Sequence, residues 1–265
     1  MRNNRLFTAK DSVVELIEHD YNVLTVLSRF SLPLGFGQKS IGELCDESGI
    51  HTDAFLLIIN FLLTGEIDSA SIMKVSPADV VYFLHNSHDY YLSYKLPHIR
   101  ANLISALDDS HGDINPIIVK FFDDYTELVR QHFNYEENVV FPYVRKLSEH
   151  VDSDYSIDVF RRHHDDEIEE KLSELKNIIL RYYSTSMPFR MYDALADIYN
   201  CEEDLKSHSR IENDILVPMI SKSLIVNIAY ASHLNSSHDA FGHIGFGSDI
   251  CHQTVVGYPM FYHRD

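Results

Sequence analysis

The chain has 265 residues, enough for one sizeable hydrophobic core or for a small domain followed by a medium-sized one. Apolar residues make up 45% and charged residues 23%, as in ordinary globular proteins, and the formal net charge of −18 argues against nucleic acid and anionic membranes as partners. The sequence shows no signal peptide and no apolar run long enough to span a bilayer. Its three cysteines are widely spaced. We therefore expect a cytoplasmic protein without disulfides.

The first part of the chain predicts three short helices. Residues 11–30 carry helical periodicity, and a loop with one proline and two glycines follows at residues 32–37. A second helix is capped by Ser40, and a third is capped by Thr52 and closes at Gly65. We predict a small helical N-terminal domain over residues 1–70, with residues 68–74 as a linker.

The predicted helices lengthen after Ser76. The first begins at Ser76-Pro77, an N-cap followed by proline at the first helical position, and runs to about residue 109 with a kink at Pro97. The others cover about 113–150, 152–179 and 187–222. Four long amphipathic helices with short connections predict an all-α antiparallel four-helix bundle over residues 76–222. Residues 223–265, which contain several glycines and histidines, are predicted to be a disordered or loosely docked tail.

One motif occurs twice within the predicted bundle. His132 and Glu136 are four residues apart, with a proline ten residues after the histidine, and His208 and Glu212 repeat this spacing. Residues four apart lie on one face of a helix, and here both pairs continue an apolar, core-facing stripe. A buried carboxylate needs a counter-charge, and a metal ion can supply it. The repeated pair therefore predicts a metal site between two helices.

The other two helices offer histidines for the same site. His164 shares its face with Ile168, Leu172 and other apolar residues, whereas His163 lines up with glutamates and is predicted to face water. In the first helix, His88 is in phase with the apolar stripe, and His85 at the border of the stripe stays an alternative. The predicted ligands are thus four histidines and two carboxylates: His88, His132, Glu136, His164, His208 and Glu212.

This ligand set favours two iron ions over one zinc ion. Structural zinc sites have four ligands and are usually rich in cysteine, whereas two carboxylates can bridge two metals with histidines as terminal ligands. The Glu-x-x-His spacing of ferritin-like di-iron bundles does not occur in the chain. We therefore expect an oxo- or hydroxo-bridged di-iron centre with an open coordination position.

These motifs resemble those of hemerythrin-like di-iron proteins, and residues 1 to about 222 resemble the iron–sulfur cluster repair family (repair of iron centres). The resemblance rests on the two His-x3-Glu motifs, His164-Asp165, and the segment from His88 to Leu96-Pro97. It implies the same six ligands, with the spacing to Pro97 leaving His85 open. One departure is clear: Leu34-Gly35-Phe36-Gly37 stands where the family has an adjacent cysteine pair.

The resemblance implies a role in repairing or protecting iron–sulfur clusters under nitrosative or oxidative stress. Nitric oxide or dioxygen would be the small-molecule partners, damaged iron–sulfur proteins the macromolecular ones, and a homodimer a further assembly. Two alternatives use the same iron pair: reversible binding or sensing of these gases, and reduction of nitric oxide or peroxide. The missing cysteine pair shifts some weight from repair towards binding or scavenging, and whether the protein is an enzyme stays open.

Overall fold

A computed structural model describes residues 5–149, 155, 166–186 and 188–221. The regular structure in these ranges is helical and includes no strand, although Ser12 and Ser40 pair as an isolated antiparallel bridge. The prediction of an all-α helical bundle is confirmed. The predicted tail at residues 223–265 lies outside the described residues.

Five helices precede the bundle. They are α1 (Val13–His19), α2 (Val23–Arg29), α3 (Ile41–Glu47), α4 (Thr52–Thr64) and α5 (Ser69–Ile72). Helix α3 begins with a reciprocal capping box between Ser40 and Glu43, and α4 ends at Gly65, whose φ of 76° is left-handed. Both termini agree with the sequence-based prediction.

Three predictions for this region are wrong. Helix α4 begins at Thr52 itself, so the residue at its N-cap is His51 and not Thr52. Residues 11–30 form two helices and not one, because the chain turns at Asp20, whose side chain accepts a hydrogen bond from the backbone N–H of Asn22. The predicted linker contains the short helix α5, which the Asp68 side chain caps by accepting from two backbone N–H groups. In both of the last two places an aspartate side chain accepts hydrogen bonds from nearby backbone N–H groups. These bonds stabilise a local turn that hydrophobic periodicity does not predict.

In the part of the bundle that the structure describes there are six further helical segments. These are α6 (Pro77–Tyr90), α7 (Leu96–Ala106), α8 (Asn115–Tyr135), α9 (Phe141–Ser148), α10 (Asp166–Tyr182) and α11 (Pro188–Ile211). Segments α6 and α7 form the first bundle helix, α8 and α9 the second, α10 the third and α11 the fourth. Helix α7 packs against α11, and α10 packs against α8. A short 3-10 turn, Asp109–His111, lies in the connection between α7 and α8.

Wide π-helical turns interrupt the first, second and fourth bundle helices. They cover Tyr91–Lys95, Glu136–Val140 and Glu212–Leu216, and each is followed by one residue and then a proline. The residue before each proline donates its N–H to the carbonyl five residues back, which is that of Tyr91, Glu136 or Glu212. Since proline has no N–H to donate, the turn before it widens by one residue.

The buried apolar side chains form two clusters. The first joins the N-terminal helices to α6, α9 and the chain after Ile211, and the rings of Phe30, Phe55 and Phe83 meet within it. The second fills the other end of the bundle. The division of the chain at residue 70 stays a prediction, but side chains from both sides of that boundary share the first cluster. Between the two clusters lies a thin layer of buried polar residues.

Candidate metal centre

Four buried side chains in this polar layer converge on one another. They are His88 from α6, Glu136 from the wide turn after α8, His208 from α11, and Glu212 from the wide turn after α11. One ligand atom from each lies within 4.8 Å of the ligand atoms of the others. The layer forms because each of these helices passes from one apolar cluster to the other at this level.

The polar atoms of this group are close together but are not hydrogen-bonded. His88 Nε2 lies 2.9 Å from Glu136 Oε2, and His208 Nε2 lies 2.9 Å from Glu212 Oε1. Even so, neither imidazole Nε2 atom and none of the four carboxylate oxygens has an aligned hydrogen-bond partner within the described ranges. Buried polar atoms normally find such a partner. Lone pairs that converge without pairing are instead what a set of metal ligands requires.

The imidazole of His88 is fixed on three sides. Its ring lies between those of Phe133 and Phe141, with centroid distances of 4.0 Å and 5.3 Å and nearly parallel planes. Its Nδ1 donates to Glu137 Oε1 at 2.7 Å. Because that bond places the proton on Nδ1, the lone pair of Nε2 is directed to the candidate centre.

In the metal-free chain the local charges keep Glu136 ionised and favour a proton on His88. Burial by itself raises the pKa of Glu136, but the imidazoles of His132 and His88 outweigh it and hold that pKa well below its usual value. For His88 the direction is reversed: burial by itself lowers the pKa of the imidazole, but the carboxylates of Glu136 and Glu137 raise it to about 9 when no metal is bound. A metal ion would therefore take the place of a proton at His88 Nε2.

The hemerythrin HHE cation-binding domain matches residues 80–220, which is more than half of the chain. The four convergent side chains all lie inside that range. The chain belongs to the hemerythrin HHE family. No curated protein and no solved structure is significantly similar to it. Within the described ranges, no helix combines the length and apolarity needed to cross a membrane.

Of the remaining candidate ligands in the HHE domain, the structure describes His132 and His85. His132 lies beside the convergent group, with its Nε2 atom 3.1 Å from Glu136 Oε1, and its side chain is 12% exposed. His85, the alternative to His88, is largely exposed and binds Glu137 from the outer side at 2.9 Å. His164 and His163 lie outside the described residues.

Sequence reasoning missed an ion pair that joins the N-terminal helices to the HHE domain. Arg29 at the end of α2 is only 2% exposed, forms an ion pair with Asp204 on α11, and donates to the Tyr91 hydroxyl at 2.9 Å. Its position at the end of a short amphipathic helix gave no sign of burial. The contact depends on how the N-terminal helices pack on the bundle, which local sequence does not encode.

Proposed function

We propose that this chain is a non-haem di-iron protein that protects or repairs iron–sulfur proteins in the cytoplasm under nitrosative or oxidative stress. The observation that carries the metal site is the buried group of two carboxylates and two imidazoles whose donor atoms converge without hydrogen bonds. Nitrogen and oxygen ligands without thiolates suit iron better than structural zinc. The stress role comes from the family resemblance of the sequence.

The contacts of Glu136 support two ions over one. Its Oε2 atom lies beside His88 and its Oε1 atom beside His132, so each oxygen faces a different imidazole. A carboxylate placed in this way can bridge two metals, with one histidine terminal on each. In the proposed set Glu212 is the second bridge, and His208 and His164 complete the terminal ligands.

An iron pair would supply reversible electron transfer and an open position for nitric oxide, dioxygen or peroxide. The protein's own residues hold the ligands in place and keep bulk water away, because apolar clusters lie on both sides of the polar layer. Glu137 and the two phenylalanine rings orient His88. Damaged iron–sulfur proteins and a second copy of the chain are the proposed macromolecular partners.

Reversible gas binding is the second candidate, and the two cysteines that the structure describes favour it. Cys45 and Cys201 are buried, and burial raises the pKa of these thiols to about 11 and about 12. Thiols in this state are poor nucleophiles. Leu34-Gly35-Phe36-Gly37 supplies no thiol either. These described residues favour protection at the iron pair, by binding or reducing the damaging molecule, over chemistry at Cys45 or Cys201.

Metal analysis with an absorption spectrum tests the centre. The purified chain should hold about two irons and show an oxo-to-iron band, and Glu136→Ala or Glu212→Ala should lose most of the iron. Glu203→Ala is the matched control on α11, because this exposed glutamate pairs only with a surface lysine among the described contacts. His163→Ala should also retain iron. One zinc ion, no metal, or equal iron in all variants would refute the proposal.

Three assays of the iron-loaded protein separate the candidate roles. Restored activity of an iron–sulfur enzyme previously damaged by nitric oxide would support repair. A reversible nitric oxide or dioxygen equilibrium without turnover would support binding or sensing. Steady consumption of nitric oxide or peroxide with an electron donor would support a reductase.

A further inference from the structure

Three tyrosines form a chain of rings that leads from the candidate metal centre to the surface. The ring of Tyr91 meets that of His208 edge-on at a centroid distance of 6.0 Å. Tyr90 follows at 5.5 Å from Tyr91, and Tyr94 follows at 5.8 Å from Tyr90. Tyr91 is fully buried, Tyr90 is half-buried, and Tyr94 is 59% exposed.

Tyr91 occupies a position equivalent to those of the two candidate bridging carboxylates. It begins the first wide turn six residues before Pro97, as Glu136 and Glu212 begin theirs six residues before a proline. The three turns therefore present a tyrosine and two glutamates at the same level of the bundle.

The hydroxyl of Tyr91 is buried and accepts from Arg29 at 2.9 Å. The same guanidinium nitrogen forms an ion pair with Asp204, whose carboxylate therefore lies next to the hydroxyl. The carboxylate of Asp204 is thus placed to take the phenolic proton if the ring of Tyr91 is oxidised. Packing alone does not require this arrangement, because phenylalanine would fill the same space without a buried hydroxyl to satisfy.

We propose that Tyr91, Tyr90 and Tyr94 carry single electrons from the surface to the iron pair when the pair reacts with hydrogen peroxide. This inference rests on the proposed di-iron centre. Electron tunnelling slows exponentially with distance, so steps between adjoining rings are much faster than one step across the whole span. Oxidation of a phenol needs a strong oxidant, and peroxide is one.

Each electron would move from the surface to the candidate centre, and each tyrosine that loses a proton would regain one. Tyr91 would give up one electron towards the centre, and its phenolic proton would move to Asp204. Tyr90 would then reduce the Tyr91 radical, which would regain the proton from Asp204; Tyr94 would reduce Tyr90, and a soluble one-electron reductant such as ascorbate would reduce Tyr94. Tyr90 and Tyr94, which reach solvent, would release a proton to water when oxidised and take one up when reduced. Two such electrons and two solvent protons convert one hydrogen peroxide into two waters, and the tyrosines end unchanged.

The Arg29–Asp204 ion pair favours return of the proton. A proton on Asp204 neutralises the carboxylate and leaves the buried guanidinium without its counter-charge, which is costly. The proton therefore stays beside Tyr91 only while the radical exists. This makes the phenol a reversible one-electron donor instead of a site of permanent oxidation.

The test is electron paramagnetic resonance of the iron-loaded full chain, frozen shortly after mixing with hydrogen peroxide. The unaltered protein should give a tyrosyl radical signal, Tyr91→Phe should lose it, and Tyr125→Phe should keep it. Tyr125 is the matched control, because it is also buried but its ring lies against Phe122 on α8. Iron content and absorption spectra must be the same in all three proteins.

Tyr90→Phe provides a second test that leaves the buried Tyr91 in place. Its radical should form at Tyr91 but decay more slowly when ascorbate is added, because the outward connection is broken. Iron-loaded protein without a radical, a signal that survives Tyr91→Phe, or an unchanged decay in Tyr90→Phe would overturn the relay and leave the di-iron proposal standing. Protein that binds no iron would refute both.

Discussion

Replacing Glu137 with alanine should weaken iron binding although Glu137 is not a proposed ligand. Its carboxylate accepts from His88 Nδ1 at 2.7 Å, which holds the imidazole with Nε2 directed to the centre. Loss of such a partner typically lowers metal affinity about 10–100-fold, which corresponds to about 1.4–2.7 kcal/mol. We expect Glu137→Gln to lose less, because its amide oxygen can still accept from the imidazole.

The assay is competition for iron with a chelator of known affinity, followed by absorption. His85→Ala is the matched control, because His85 binds the same carboxylate from the exposed side and does not reach the convergent group. It should change iron affinity much less than Glu137→Ala. Equal affinities for Glu137→Ala and the unaltered protein, or equal losses in Glu137→Ala and His85→Ala, would refute the assigned role of Glu137.

Two predictions concern stability and are measured by urea unfolding of the metal-free protein. Arg29→Met should lower the free energy of unfolding by about 3 kcal/mol, because it leaves Asp204 without its buried partner. Adding Asp204→Leu should recover part of that loss. If the effects of the two substitutions simply add in the double variant, the coupling between Arg29 and Asp204 is refuted. Phe55→Ala should cost about 3–5 kcal/mol in one cooperative transition, because its ring belongs to the cluster shared by the N-terminal helices and the bundle. Two separate transitions, with only the first shifted, would show instead that residues 1–70 fold independently.

The wide turns show where sequence reasoning reached its limit. Periodicity placed His132 and Glu136 on one inward face, and the structure has both side chains in contact. The sequence predicts a kink at Pro97, and the structure adds a π-helical turn immediately before that proline. The three prolines mark the positions of these turns in the sequence. Only the backbone hydrogen bonds of the folded chain show how the helix accommodates a proline, which has no N–H to donate.

His85 and His88 differ for a similar reason. Both are near the apolar stripe of α6, so helical phase left either as a candidate ligand. In the folded chain Phe133 and Phe141 enclose His88, while His85 stays on the surface and shares Glu137 with it. That difference arises from side chains on another helix, which a single-helix pattern does not contain.

The sequence by itself determined the all-helical class, the helix starts capped by Ser40 and Ser76, and the repeated His-x3-Glu faces, because these depend on residues within one or two turns of each other. Only the tertiary structure decided that His88, Glu136, His208 and Glu212 converge between two apolar clusters. It also brought Arg29 onto Tyr91 and Asp204. Such contacts join residues far apart in the chain, and they form only when whole helices pack together.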